Sequence, residues 1–407
     1  MVDALLQFCK QRRTTVVMSK RVYLDYASAM PTDKAVFSVM KPHVLEFFGN
    51  PGANHTEGRV AKEALDEARA TVADVVKVKK EEVIFTSGAT EANSLAIIGH
   101  IEGLRKQGRT YKDMHVVTSA IEHVNVLKSV EALKEKGVLV SVVFPDKDGL
   151  ISPKSIGEVL TNKTVLVSIQ YVNSEIGTIM PLRKIKQALL TFNKDIVLHT
   201  DAAQAALFLP VLLGQIDVDM MTLDGQKFGG PRGAGVLIKK RTVPLAPLLF
   251  GGGQETGLRP GTENVSLAAG FAYALKHAQE MYEERSREIT LLRNWTIHEI
   301  EKEIEHVHVN GSTEKRIANN INISFIGRDS EYLAALLDKK GFAVSTKITC
   351  DTGAGQGSDV VRIISGDEKR ALSTLRITLG PTTSKEDMKR FVKALSESVA
   401  FLDSNTI

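Results

Sequence analysis

"DMMTLDGQKFGGPRGAGVLI", residues 219–238, decides how the fold is read. Two apolar runs flank a glycine-rich turn, and a single lysine, Lys227, stands at the head of that turn. Lysine is ordinarily a solvated surface residue. Here the run before it reads as a buried strand, and the glycines after it let other groups come close. Together these features make Lys227 a candidate reactive amine.

Working outward, the text alternates between strand-like and helix-like segments from residue 36 to 275. "EEVIF", "HVVTSA", "VLVSVVFP", "TVLVSIQYV", "DIVLHTD", "VDMMTLD" and "GAGVLIKK" read as strands. Helical spacing predicts helices in "HVLEFFGN", "RVAKEALDEARATVADVV", "ATEANSLAIIGHIEGLRKQG", "VNVLKSVEALKEKG", "SPKSIGEVL" and "LRKIKQALLTFN". Near-continuous Val, Ile and Leu strands separated by helices imply an α/β fold: a mostly parallel, seven-stranded-type sheet with helices on both faces. A long helical stretch from Ser266 to Ile304 then leads to short strands in "HVHVN", "ANNINISFIG" and "FAVSTK". These predict a smaller α+β domain over residues 276–407, joined by the N-terminal segment 21–35 with its strand "RVYLDY". Residues 36–275 form the expected large domain. Residues 1–20 read as a disordered extension, or as an over-long start with Met18 as the first residue, rather than as a transit peptide.

Composition narrows the class. At 43% hydrophobic and 25% charged, the 407-residue chain is of ordinary globular type. A net charge of +4 gives no electrostatic case for nucleic acid or an anionic membrane as the main partner. Two cysteines, Cys9 and Cys350, cannot make a disulfide framework, so a reducing cytoplasm is the default compartment.

Ligands of open parallel sheets bind at the carboxyl ends of the strands. The polar residues that follow the predicted strands are Thr86 to Thr90, Glu122 and His123, Asn173, Asp201 with Gln204, and Lys227. One sheet edge thus gathers an anion cradle at a helix start, an imidazole, an amide, a carboxylate and an amine. Pyridoxal 5'-phosphate needs this set. It takes a lysine amine on its aldehyde, a carboxylate at its ring nitrogen, a flat group over its face and a helix N-terminus at its phosphate. Singly, each residue has an ordinary structural use; Asp201, for instance, is a fitting cap for "AAQAAL". The joint placement carries the reading.

The chain resembles the cysteine desulfurases of the NifS/IscS type, within the class V aminotransferases of fold-type I. The resemblance rests on "FGNPGANH", "FTSGATEANSLAI", "SAIEHVNV", "YVNSEIGTI", "HTDAAQA", "GQKFGGPRGAGVL", "GLRPGTENV", "NGS", "NINISF" and "LRITLG". It implies that Lys227 is the Schiff-base lysine, Asp201 the ring-nitrogen partner, and His123 the residue that stacks on the ring and assists proton transfer. Ala89 and Thr90 match the phosphate turn. Asn173 and Gln204 match groups that hold the ring substituent and the substrate. Thr262 matches a threonine that reaches the phosphate of a neighbouring subunit, which implies a homodimer with shared sites. Arg376 resembles the arginine that clamps the substrate carboxylate. Cys350, in the Gly-rich "VSTKITCDTGAGQGSDVV", matches the nucleophile of a mobile loop, with Lys347 favouring its thiolate.

The implied reaction removes sulfur from L-cysteine. The substrate displaces Lys227 from the cofactor, Lys227 or His123 moves protons, and the Cys350 thiolate takes the sulfur as a persulfide, leaving L-alanine. The implied acceptors are an iron–sulfur scaffold protein or a tRNA-thiolation relay. No resident metal is implied, although Cys350 would touch a nascent cluster in transit. Two departures from the family stand out. Asp224 and Gln226 occupy cofactor-side positions that usually hold Ser or Thr and His, so Asp224 is expected to turn toward a backbone N–H or Arg232. "TKIT" replaces a small-residue turn before Cys350. Two alternatives stay open: another enzyme of the same fold, such as an aminotransferase or a selenocysteine lyase, and a catalytically silent homologue acting as a binding subunit.

Overall fold

A computed structural model describes residues 21–346 and 357–405. Cys9, Lys347 and Cys350 lie outside the described residues. The strands are β1 (Val22–Tyr23), β2 (Val83–Thr86), β3 (His115–Ser119), β4 (Leu139–Val143), β5 (Thr164–Ser168), β6 (Val197–Asp201), β7 (Met220–Asp224), β8 (Gly235–Lys239), β9 (Val307–Val309), β10 (Asn320–Phe325), β11 (Phe342–Ala343) and β12 (Thr374–Thr378).

Seven of them form one sheet in the order β2-β8-β7-β6-β5-β3-β4. β3, β5, β6 and β7 are buried along their whole length, as their Val, Ile, Leu and Met content requires of strands covered on both faces. Pairing is parallel except at β8, which runs antiparallel to both β2 and β7. The reason is length. Residues 225–234 join β7 to β8, too few for the crossover a parallel return needs. Because β8 is reversed against both neighbours, β2 and β7 point the same way. The carboxyl ends of β2, β3, β5, β6 and β7 therefore open on one edge.

A second sheet, β12-β10-β9, is antiparallel, and β1 pairs in parallel with β11. The N-terminal segment thus lies beside β12, with a further bridge from Asp25 to Thr378. One buried apolar cluster runs continuously from Val22 through the sheet's helices to Leu402.

Two helices differ from the expected spans. The helix expected over 43–50 is instead Lys34–Leu45, started by Asp33, whose side chain accepts from the Ala35 N–H. The stretch 266–304 is two helices, Val265–Glu280 and Tyr282–Glu303, broken at Met281.

Candidate active site

The cavity at the shared strand edge is lined by Ala27, Ser28, Ala89, Thr90, His123, Asn125, Gln170, Asp201, Gln204, Asp224, Gln226, Lys227 and Arg376, among others. Sequence-predicted residues from four strand ends, those of β2, β3, β6 and β7, therefore meet in one place. Lys227 lies in the short turn after β7, where Gly229 takes a φ of +81° that a side chain would strain. Its Nζ donates to the carbonyls of Ala27 (2.8 Å) and Ser28 (2.7 Å). Gln204 Nε2 donates to the same Ala27 oxygen at 2.9 Å. The N-terminal segment thus orients both the amine and the amide.

Asp201 ends β6. Its Oδ1 accepts from the Ala203 N–H (2.9 Å), and its Oδ2 accepts from Asn93 Nδ2 (2.7 Å). His123 caps the helix Val124–Glu135, its Nδ1 accepting from the Asn125 N–H at 3.2 Å. That contact leaves the ring proton on Nε2. Ala89 and Thr90 open the helix Ala89–Lys106, whose N-cap, Gly88, offers no side chain to its N–H groups. An uncapped start of a long helix facing a cavity holds free donors for an anion. β8 passes close beneath this turn: a Cβ on Gly235 would stand 2.5 Å from the Gly88 Cα, so only glycine fits.

Asp224 turns to Gln226. Its Oδ1 accepts from the Gln226 backbone N–H (3.4 Å) and its Oδ2 from the Gln226 amide (3.2 Å), so Arg232 is not its partner. Burial pushes its carboxyl above the ordinary range, with Lys227 pulling the other way. Arg376, on β12, is 3% exposed. Its guanidinium reaches the Ser174 carbonyl (3.1 Å), Asp25 (2.8 Å) and Ser28 Oγ (2.7 Å), while its buried Nε meets no partner among the described residues.

Two predicted residues lie elsewhere. Asn173 is not in the cavity wall. Its amide donates to the Ile121 carbonyl (3.0 Å), and its Oδ1 accepts from the N–H groups of Glu175 and Ile176 (2.9 Å each), an Asx turn. Thr262 lines a separate cavity with Ser87, Arg259 and Glu255. The segment that carries it is pinned by Glu255, which pairs with Arg69 (2.7 and 2.5 Å) and accepts from the Phe85 N–H (3.0 Å). Cys350 lies outside the described residues.

The structure adds residues that the strand-end reading passed over. Asp25, Ser28 and Ser174 hold Arg376. Gln170 braces the turn before His123, its amide donating to the Ile121 carbonyl at 2.6 Å. Asn93 and Asn125 stand behind Asp201 and Thr90. Helical spacing could have found Asn93, since it lies four residues after Ala89 and so on the same face. Among the described residues, no group of three or more His, Cys, Asp or Glu could hold a metal ion, and no helix is long and apolar enough to cross a membrane.

Residues 22–391 match the family described as "Aminotransferase class-V", and the chain belongs to that family. The chain is 36% identical to "Cysteine desulfurase IscS" of Dictyoglomus turgidum over 94% of this chain and 95% of that one. It is 35% identical to "Cysteine desulfurase IscS 1" of Archaeoglobus fulgidus, covering 92% and 95%. Its fold superposes on a solved "NifS-like protein" with a TM-score of 0.87 at 31% identity, covering 94% of this chain and all of that one.

Proposed function

We propose that this chain is a cysteine desulfurase that uses pyridoxal 5'-phosphate to move sulfur from L-cysteine to Cys350, releasing L-alanine. The observation that carries this reading is that Lys227, Asp201, His123 and Arg376 line one cavity beside an uncapped helix start. The donor set fits the cofactor. Lys227 would hold its aldehyde, Asp201 its ring nitrogen, Ala89 and Thr90 its phosphate, and His123 one face. Gln204, Gln226 and Asp224 complete the wall, and Asn173 supports it through the Ile121 carbonyl. The cofactor would supply an electron sink for the substrate's α-carbon.

The protein's own groups do the rest. The carbonyls of Ala27 and Ser28 fix the reach of the Lys227 amine. His123, with its proton on Nε2, can deliver that proton at the cavity face. Arg376, which lines the cavity, holds the substrate carboxylate through its guanidinium. The Cys350 thiolate bonds to the substrate sulfur as the carbon–sulfur bond breaks. The electron pair stays on the carbon framework, which is protonated to alanine.

The persulfide then passes to an acceptor, such as an iron–sulfur scaffold protein or a tRNA-thiolation relay, in a reducing cytoplasm. A homodimer with shared sites is supported by the exposed Phe48 (73%) and Phe250 (92%), and by the position of Thr262 away from its own chain's cavity. The β1–β11 pairing supports grouping residues 21–35 with 276–407 as the small domain, around a cofactor domain over 36–275. The test supplies the cofactor-loaded protein with L-cysteine and a thiol reductant and measures alanine and sulfide. Equal amounts of both are expected, and none from Lys227→Ala. Amino transfer to a keto acid without alanine would assign an aminotransferase instead.

A further inference from the structure

Behind Asp201 stands a polar side chain that the proposed chemistry does not use. Asn93 lies one turn into the helix Ala89–Lys106 and is fully buried. Both hydrogens of its amide nitrogen are spent: one on Asp201 Oδ2 at 2.7 Å, the other on Asn125 Oδ1 at 3.1 Å. Its own Oδ1 accepts nothing among the described residues. A buried acceptor without a donor is costly. The opposite amide orientation offers no relief, because it would press Oδ1 against the Asp201 carboxylate and the Asn125 carbonyl oxygen. The site therefore keeps Asn93 as a donor only.

Asn125 continues the chain. Its Nδ2 donates to Thr90 Oγ1 at 3.2 Å, and its backbone N–H donates to His123 Nδ1. Two amides in series thus join Asp201 to the turn that opens the helix and to the imidazole. We propose that Asn93 is a positioning residue. It aims the Asp201 carboxylate into the cavity and couples it, through Asn125, to Thr90 and His123. This rests on the cofactor reading above. Among the described residues Asp201 has two anchors, the Ala203 N–H and Asn93, and of these Asn93 alone links it to another wall of the site.

The experiment is a double-mutant cycle on cofactor affinity. Pyridoxal 5'-phosphate is titrated into cofactor-stripped parent, Asn93→Leu, Asp201→Asn and the double variant, with the midpoint of urea unfolding of each stripped protein as the control. A hydrogen bond to a charged group sets the expected loss for Asn93→Leu at about tenfold in affinity. In the Asp201→Asn background the same change should cost clearly less, because the charge that Asn93 holds is gone and a neutral amide oxygen accepts more weakly. Equal fold losses in both backgrounds would overturn the proposal and leave Asn93 a packing residue.

Asn93→Asp gives a second reading if the leucine variant does not fold. A carboxylate 2.7 Å from Asp201 must share a proton with it. Its cofactor affinity relative to the parent's should therefore fall as pH rises. A ratio that stays constant with pH also overturns the proposal. A parent protein that binds no cofactor would sink the functional reading and this inference together. A binding parent with an unaffected Asn93→Leu variant would sink this inference alone.

Discussion

Replacing Glu122 by Gln should make the fold more stable at alkaline pH and leave it nearly unchanged in acid. Glu122 sits one residue before His123 and is 4% exposed. It accepts from Ser119 Oγ (2.5 Å) and from the Gln170 N–H at both oxygens (3.1 and 2.9 Å). Burial, reinforced by the nearby charge of Asp201 and opposed by these hydrogen bonds, pushes its carboxyl from 4.5 up to about 8. The folded chain thus keeps a proton that the unfolded chain loses above pH 4.5. The associated stability is fully present below that pH, declines as pH rises and is gone above about 8. At about 1.4 kcal/mol per pH unit over that span, the full loss is on the order of 5 kcal/mol. Gln is neutral throughout. It can accept from the Gln170 N–H and donate to Ser119 Oγ, so it should escape the decline. Urea unfolding of parent and Glu122→Gln at matched protein and cofactor concentrations, from pH 5 to 9, measures the difference. The two should agree within about 1 kcal/mol at pH 5 and diverge by several kcal/mol by pH 9. Parallel curves, or a variant that is weakest at high pH, would show that Glu122 is ionised in the fold and refute the reasoning.

Gly235→Ala should drive a Cβ into the Gly88 backbone and shift the helix start. A destabilisation of about 1–3 kcal/mol is expected, with weaker retention of pyridoxal phosphate on dialysis. Glu255→Ala should leave Arg69 buried without its counter-charge, a loss of about 3–5 kcal/mol in chemical denaturation, partly recovered by Arg69→Met in the same chain. Arg376→Lys should raise the KM for cysteine by about tenfold with a smaller change in kcat, since an ammonium cannot reproduce a planar, multiply bonded guanidinium. A steady-state series in cysteine reads this directly.

Much of this site could be read before any coordinates, because each of its main residues follows a strand. Lys227, Asp201, His123 and Thr90 need only the rule that parallel strands open their carboxyl ends on one edge. Arg376 and its partners Asp25 and Ser28 are different. They reach the cavity through the β1–β11 pairing and the placement of β12, contacts between segments more than 300 residues apart that no local pattern encodes. Asn173 follows a strand too, but the local chemistry of "NSEIG" turned it away: its oxygen found two backbone N–H groups closer than the cavity. Asn93 shares a helix face with Ala89, but its partner Asp201 is 108 residues away and no local pattern names it. The reversal of β8 was implicit in the short turn after Lys227, since a parallel return had no length to be built from. The break at Met281 carries no glycine or proline to announce it.

The central claim is that sulfur leaves cysteine for a thiol of this chain. Mass spectrometry of the peptide containing Cys350, taken after the cofactor-loaded protein meets L-cysteine without reductant, tests it most directly. One added sulfur on Cys350 is the expected result, absent in Lys227→Ala and removed by a thiol reductant. An unmodified Cys350 alongside continued formation of alanine would contradict the account.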